Sequence, residues 1–154
     1  MTTVVVETPE SLKEHVGKEI GVSAWLTITQ ERIAQFAEAT EDRQWIHLDL
    51  QRAETESPFG TTIAHGFLTL SLVSHFMKDV ILVRSGIRMA VNYGLNRVRF
   101  PSPVPVNSRL RAHFKLLSFE PIEGGVQTVT EVTVEREGQT KPVCVAESVG
   151  RLYL

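Results

Sequence analysis

The sequence predicts an α+β fold in which a curved antiparallel sheet wraps around one long buried helix. Three observations carry this reading. From Gly66 to about Val83 the chain is apolar on nearly every side of a helix, which suits a buried helix better than one lying on a surface. Beyond Val106 most residues alternate between apolar and polar with a period of two, as strands with one buried face do. Gly124-Gly125 and Glu137-Gly138 provide short turn signals between those alternating runs, so neighbouring strands run antiparallel.

The elements follow in order. Gly21 to Ile28 reads as a short strand. Thr29 is a good N-cap for the helix that follows, with Glu31 in its first turn and Ile33, Phe36 and Ala37 on one face; a hydroxyl at the cap and an acid in the first turn both favour a helix start. This helix should end near Thr40. Residues 41–65 form a long connection, with a short helix expected over Leu50–Glu54 and a turn at Ser57-Pro58-Phe59-Gly60. A connection of that length inside a compact domain is more often functional than not. The buried helix runs from Gly66 to Ile81. Pro101, Pro103 and Pro105 mark an extended corner. Val106, Ser108, Leu110, Ala112, Phe114 and Leu116 then share one strand face, Val126 to Glu135 alternates again, and Val143 to Tyr153 completes the meander. One buried helix followed by a long antiparallel meander is the arrangement called a hot dog fold.

Bulk properties narrow the function. The 154 residues fit a single domain spanning 1–154. A net charge of −2 and a pI near 6.2, with no basic run, leave no footprint for nucleic acid. Cys144 is the only cysteine, so intrachain disulfides and multi-cysteine metal sites are excluded. Met1 to Ser11 has neither the cationic start nor the apolar core of a signal peptide. The most apolar stretch, Phe67 to Val83, is too interrupted by polar residues to span a bilayer. A cytoplasmic protein is the expectation.

Asp42-Arg43-Gln44-Trp45-Ile46-His47 and Ile63-Ala64-His65-Gly66-Phe67-Leu68 are the informative runs. An acid and an imidazole with four residues between them can converge on one small molecule such as water. Gly66 then opens a helix, whose free N–H groups and partial positive charge can receive a developing anion. An acid, a base and an oxyanion site are the parts needed to add or remove water beside a carbonyl.

These residues resemble the MaoC-like dehydratases, which include the (R)-specific enoyl-CoA hydratases, and within them the group similar to nodulation protein N. The family pattern is Asp-x-Asn-Pro-x-His, then His-Gly before a buried helix, then a proline-broken approach to a strand. Here it corresponds to Asp42…His47, His65-Gly66 and Arg99-Phe100-Pro101-Ser102-Pro103-Val104. Gln44-Trp45 replaces Asn-Pro, which removes a fixed φ from the turn and adds bulk. The resemblance implies reversible hydration of trans-2-enoyl-CoA to (R)-3-hydroxyacyl-CoA, with no metal or organic cofactor. His47 would activate the water, Asp42 would share it and manage the proton for the α-carbon, and the Gly66 N–H would hold the oxyanion. Ser74, two turns beyond Gly66, falls where the family has a substrate-side serine; a helix hydroxyl bonded to its own backbone is the alternative. The resemblance also implies a homodimer with side-by-side sheets, which would cover the sheet edge and an apolar flank.

Other residues carry less. His65 reads as structural, orienting its loop through a backbone hydrogen bond. His15, His75 and His113 have no acidic partner at a suggestive spacing and read as packing or surface residues. Cys144 reads as a small buried side chain. Asn92-Tyr93-Gly94-Leu95-Asn96 is either a wall of the acyl pocket or a turn before a strand at Arg97–Phe100. Arg84, Arg88, Arg97 and Arg99 are candidates for coenzyme A phosphates, although for any single one an ordinary exposed cation is the stronger reading. Two competing functions remain. A thioesterase of the same fold would want a carboxylate on the buried helix, which offers only Asp79 near its far end. A non-catalytic acyl-thioester binding subunit would not need both Asp42 and His47.

Overall fold

The computed structural model describes residues 1–154. In chain order it contains β1 (Val4–Val6), a 3-10 helix (Pro9–His15), β2 (Glu19–Val22), β3 (Leu26–Thr27), α1 (Gln30–Thr40), α2 (Trp45–Leu48) and α3 (Leu50–Glu56). There follow α4 (Gly66–Ser71), α5 (Val73–Val80), β4 (Ile81–Val83), β5 (Met89–Arg99), β6 (Arg109–Ile122), β7 (Gly125–Arg136) and β8 (Cys144–Tyr153). The main sheet has the order β2-β6-β7-β8-β5, all antiparallel, with β3 also pairing to β6. It wraps α4 and α5, as a hot dog fold does.

The period of two places the core. Leu110, Ala112, Phe114 and Leu116 from β6, Val132 and Val134 from β7, and Cys144 and Ala146 from β8 form one cluster with Leu68, Leu72, Val73, Phe76 and Val80 of the helix. Phe76 and Phe114 are both fully buried, and each such side chain stabilises the fold by about 1.5–3 kcal/mol relative to exposure. The β6–β7 hairpin turns through Glu123-Gly124, since Ile122 pairs with Gly125. Gly124 takes φ 76 there, a left-handed value that favours glycine.

Other expectations need correction. The strand expected over Gly21–Ile28 is two pieces, because Ser23 to Trp25 leave the ladder. The buried helix is one ladder with an irregular step at Leu72, and it stops at Val80; Ile81–Val83 pairs in parallel with Val4–Val6 instead. Nor is it buried on all sides in a single chain: Phe67 is 69% exposed, and Ser71, Ser74, His75 and Lys78 are also exposed. The expected helix at Leu50 runs on to Glu56, capped by the Asp49 carboxylate, and is preceded by the single turn α2. Asn92 to Asn96 is no turn; it lies inside the edge strand β5, which bulges twice there. β6 starts at Arg109, because Asn107 takes φ 67 and closes the proline corner with a turn.

Candidate active site

The site is built where the long connection returns to the helix. Thr29 caps α1 as expected, its hydroxyl accepting from the Arg32 N–H at 3.2 Å. Glu41 ends α1 in a left-handed conformation, φ 61, and turns the chain sharply into Asp42 and then α2. His47 lies on α2, only 6% exposed. Its Nδ1 is 2.7 Å from the Ile63 carbonyl. A carbonyl can only accept, so Nδ1 carries the proton and Nε2 keeps its lone pair.

The proline corner fixes the facing segment. Ala64 N–H donates to the Val104 carbonyl and Val106 N–H to the Thr62 carbonyl, at 2.8 and 2.9 Å. These bonds hold the Ile63 carbonyl under His47 and aim His65 inward. The buried His65 ring donates from Nε2 to the Asp42 carbonyl at 2.9 Å, in keeping with the loop-orienting role expected of it. Its ring stacks on His47, centroids 3.7 Å apart and planes 24° from parallel, with Phe36 behind it. The Asp42 side chain is 52% exposed and lies 4.0 Å from His65 Nε2.

Asp42, His47 and His65 thus place their polar atoms within 4.8 Å of one another. Such a trio could in principle ligate a metal, but the stacking argues against it. A cation in the plane of one imidazole lies far from the plane of the other, and His65 Nε2 is already committed to a carbonyl. The trio is better suited to holding a water molecule between an exposed carboxylate and a neutral imidazole. Burial lowers the His47 pKa below its usual 6.5, and the neighbouring His65 lowers it further. The bond to Ile63 and the Asp42 charge oppose this without overcoming it. A neutral imidazole near pH 7 is a competent proton acceptor.

His65 is the N-cap of α4, so Gly66 follows the trio directly. The Leu68 and Thr69 N–H groups turn back on the His65 carbonyl, leaving those of Gly66 and Phe67 at the open helix end. A Cβ on Gly66 would sit 3.0 Å from the Phe100 ring, which packs flat against it. Phe100 in turn meets the exposed Phe67 edge-on, centroids 6.2 Å apart. Nothing local in the sequence marks Phe100 as a neighbour of Gly66; the proline corner brings it there.

Ser74 stands apart from the trio, about 12 Å along the helix from Gly66. Its hydroxyl is not bonded to its own helix: it accepts from Asn92 Nδ2 of β5 at 3.2 Å. The two line a cavity of about 300 Å³ with Leu70, Ala146 and Ser148. A larger one of about 580 Å³ continues past Met77 and Ile81. Among the arginines, Arg84 pairs with Glu7 and Arg99 donates to the Val98 carbonyl.

Asp79 is tied into the fold. Its carboxylate accepts from the Ala24 N–H at 3.2 Å and its carbonyl accepts from Thr3, at the far end of the helix from Gly66. His113 has an acidic partner that no sequence spacing shows: Glu135, one strand away on β7, at 2.5 Å. Sequence spacing hides cross-strand neighbours of this kind. Cys144 is fully buried, and burial pushes its thiol up to about 11. No helix is long and apolar enough to cross a membrane.

Comparison with known proteins agrees with this architecture. Residues 11–139 match the family described as MaoC like domain. The chain is 51% identical to "3-hydroxyacyl-thioester dehydratase Z" of Mycobacterium tuberculosis, over 94% of this chain and 95% of that protein. It is 48% identical to "Nodulation protein N" of Rhizobium leguminosarum bv. viciae, over 85% and 82%. Among solved structures, the R-hydratase of Pseudomonas aeruginosa in its unliganded form superposes with a TM-score of 0.69 at 25% identity, over 90% of this chain and 81% of that one. With a matching motif set, a hot dog fold and relatives of this closeness, the chain belongs to the MaoC-like family.

Proposed function

We propose that the protein is a hydro-lyase that interconverts trans-2-enoyl-CoA and (R)-3-hydroxyacyl-CoA. The observation that carries this is the neutral His47, its Nδ1–H bonded to Ile63 and its ring beside Asp42 at the open end of α4. In the hydration direction His47 Nε2 takes a proton from water, and the hydroxide adds to the β-carbon. The π electrons move to the thioester oxygen, where the Gly66 N–H and the helix dipole stabilise the enolate. The proton held on His47 Nε2 then passes by way of Asp42 to the α-carbon, so both side chains return to their starting states and the double bond has gained one water. Ser74 sits farther along, where it would meet the substrate rather than the reacting atoms. The names of the dehydratase and hydratase relatives support this reaction class.

The full chain, 1–154, acts as one domain in this reading, in a cytoplasmic homodimer. β5 is an edge strand with Met89, Val91, Tyr93 and Leu95 all exposed, and edges of that kind are normally covered. A second copy beside β5 would also close the open side of the two cavities. A monomeric mass in solution at micromolar concentration would refute the dimer. For the reaction, the protein is incubated with crotonyl-CoA while the enoyl absorbance is followed. Loss of absorbance with an (R)-3-hydroxy product supports the proposal; an (S) product, free coenzyme A or no turnover contradicts it.

A further inference from the structure

We infer that Gln30 and Thr62 form a clamp that positions His47, joining the catalytic turn to the segment that orients its ring. Gln30, the first residue of α1, donates from Nε2 to the His47 carbonyl at 2.7 Å. Its Oε1 accepts from the Thr62 hydroxyl at 2.6 Å. Thr62 is fully buried and immediately precedes Ile63, the residue that bonds the His47 ring. One amide therefore bridges the two stretches of chain whose register fixes the imidazole.

The turn needs such a tie. α2 has four residues, a single turn, and a helix that short is marginal without contacts from outside it. Within it the His47 N–H reaches the Gln44 carbonyl at 3.0 Å, and Ile63 N–H reaches the Ile46 carbonyl at 3.0 Å. The Asp49 N–H closes the turn on the Trp45 carbonyl at 2.9 Å; what Gln30 adds is a side-chain bond that ties the His47 carbonyl to the segment carrying Ile63. Position 45 is tryptophan where the family pattern has proline, so no ring locks φ at the start of the turn. The orientation of the amide is unambiguous, because the His47 carbonyl can only accept and so faces the NH₂ end. Gln30 and Thr62 are positioning residues; neither bonds to Asp42 or to the His47 ring.

The clamp rests on the hydratase reading only for its kinetic test, so a second test needs no substrate. Gln30→Glu keeps the size of the side chain and the acceptor for Thr62, but its carboxylate repels the His47 carbonyl. Thr62→Val keeps the shape and removes the hydroxyl. The clamp predicts that Gln30→Glu lowers kcat with crotonyl-CoA about 10- to 100-fold, the scale of a small misplacement of a catalytic group, with little change in KM. Thr62→Val gives a smaller loss of the same kind. In imidazole NMR of the free protein, the wild type shows the Nδ1–H tautomer at His47. In both variants that signal broadens to a tautomer mixture. The shift of the His47 titration is read in Thr62→Val, which adds no charge beside the ring and leaves Asp42 and His65 in place, because the new carboxylate of Gln30→Glu would move the His47 titration by charge alone. Folded variants with normal kcat, or with an unmoved His47 tautomer and titration, overturn the clamp. A wild type inactive on crotonyl-CoA would sink the hydratase reading alone and leave the NMR to decide the clamp.

Discussion

Replacing His47 by alanine and Asp42 by asparagine should affect turnover alike and stability differently. On the proposed mechanism each acts on the same water, and a general acid or base contributes about 10²–10⁴-fold. The structure separates their folding roles. His47 is 6% exposed, and its Nδ1–H is the donor to the Ile63 carbonyl. Removing the ring strands that carbonyl in a buried setting, at a cost of roughly 1–3 kcal/mol. It also empties the space under His65, which loses its stacking partner. For a protein of this size about 2 kcal/mol corresponds to a fall in Tm of roughly 4–8 °C. The Asp42 carboxylate is 52% exposed, and asparagine keeps its shape, so Asp42→Asn should melt with the wild type.

The assay is loss of enoyl absorbance from crotonyl-CoA, with melting measured on the same preparations. Both single variants should lose turnover by orders of magnitude, and the double variant should be little worse than either, because residues acting as a unit are far from additive. Near-normal turnover in either single variant would refute the shared-water assignment. Additive losses in the double would show that the two groups serve separate steps.

Three further outcomes are expected. Because burial holds His47 below the usual imidazole value of 6.5, the acid limb of kcat/KM should lie below that pH. The unfolded chain then binds more protons than the folded one, so His47 should also make stability fall as pH drops from about 6.5 through the folded pKa; the Tm of His47→Ala should lack this component, and an acid limb above pH 7 would contradict the assignment. Gly66→Val should abolish turnover, since its side chain would collide with Phe100 at 3.0 Å and crowd the helix end; a normally melting, fully active variant would remove Gly66 from the oxyanion site. Cys144, with its thiol raised to about 11, should resist alkylation at neutral pH in the native protein and react only on unfolding, as mass spectrometry would show.

Local signals and long-range ones differ in how well the sequence reveals them. The cap at Thr29, the end of α1 at Thr40 and the alternation through Leu110 to Leu116 all express rules that act within a few residues. Each is found as read. What was hidden depends on contacts between distant segments. The Val4–Val6 pairing with Ile81–Val83 has no local pattern strong enough to mark it, because three residues cannot display a period. At the site, the runs around Asp42 and His65 stand out in the sequence. Their joining through Ile63, the stack of His47 on His65, and the contact of Phe100 with Gly66 all depend on the proline corner. Gln30 carries no motif at all; its role exists only because α1 brings it beside Thr62.

The helix poses the more instructive mismatch. In sequence it reads as apolar on nearly every side, a pattern that implies burial all round, yet its exposed flank carries Ser71, Ser74, His75 and Lys78, Phe67 remains 69% exposed and the side toward β5 is open. β5 has the same excess: eleven residues, almost all exposed, with two-faced apolar content at a sheet edge. A single chain leaves Phe67 and the apolar side chains of β5 uncovered. The proposed second copy accounts for both at once, because pairing along β5 would extend the sheet and bring the two helix flanks under it. Hydropathy that exceeds what the single chain can bury is then a record of the assembly. A charge placed on β5, such as Val91→Lys, should accordingly weaken the dimer while leaving the core around Phe76 and Phe114 intact. Light scattering would read this as a lower mass at the same concentration, and an unchanged mass would send the search for the partner surface elsewhere.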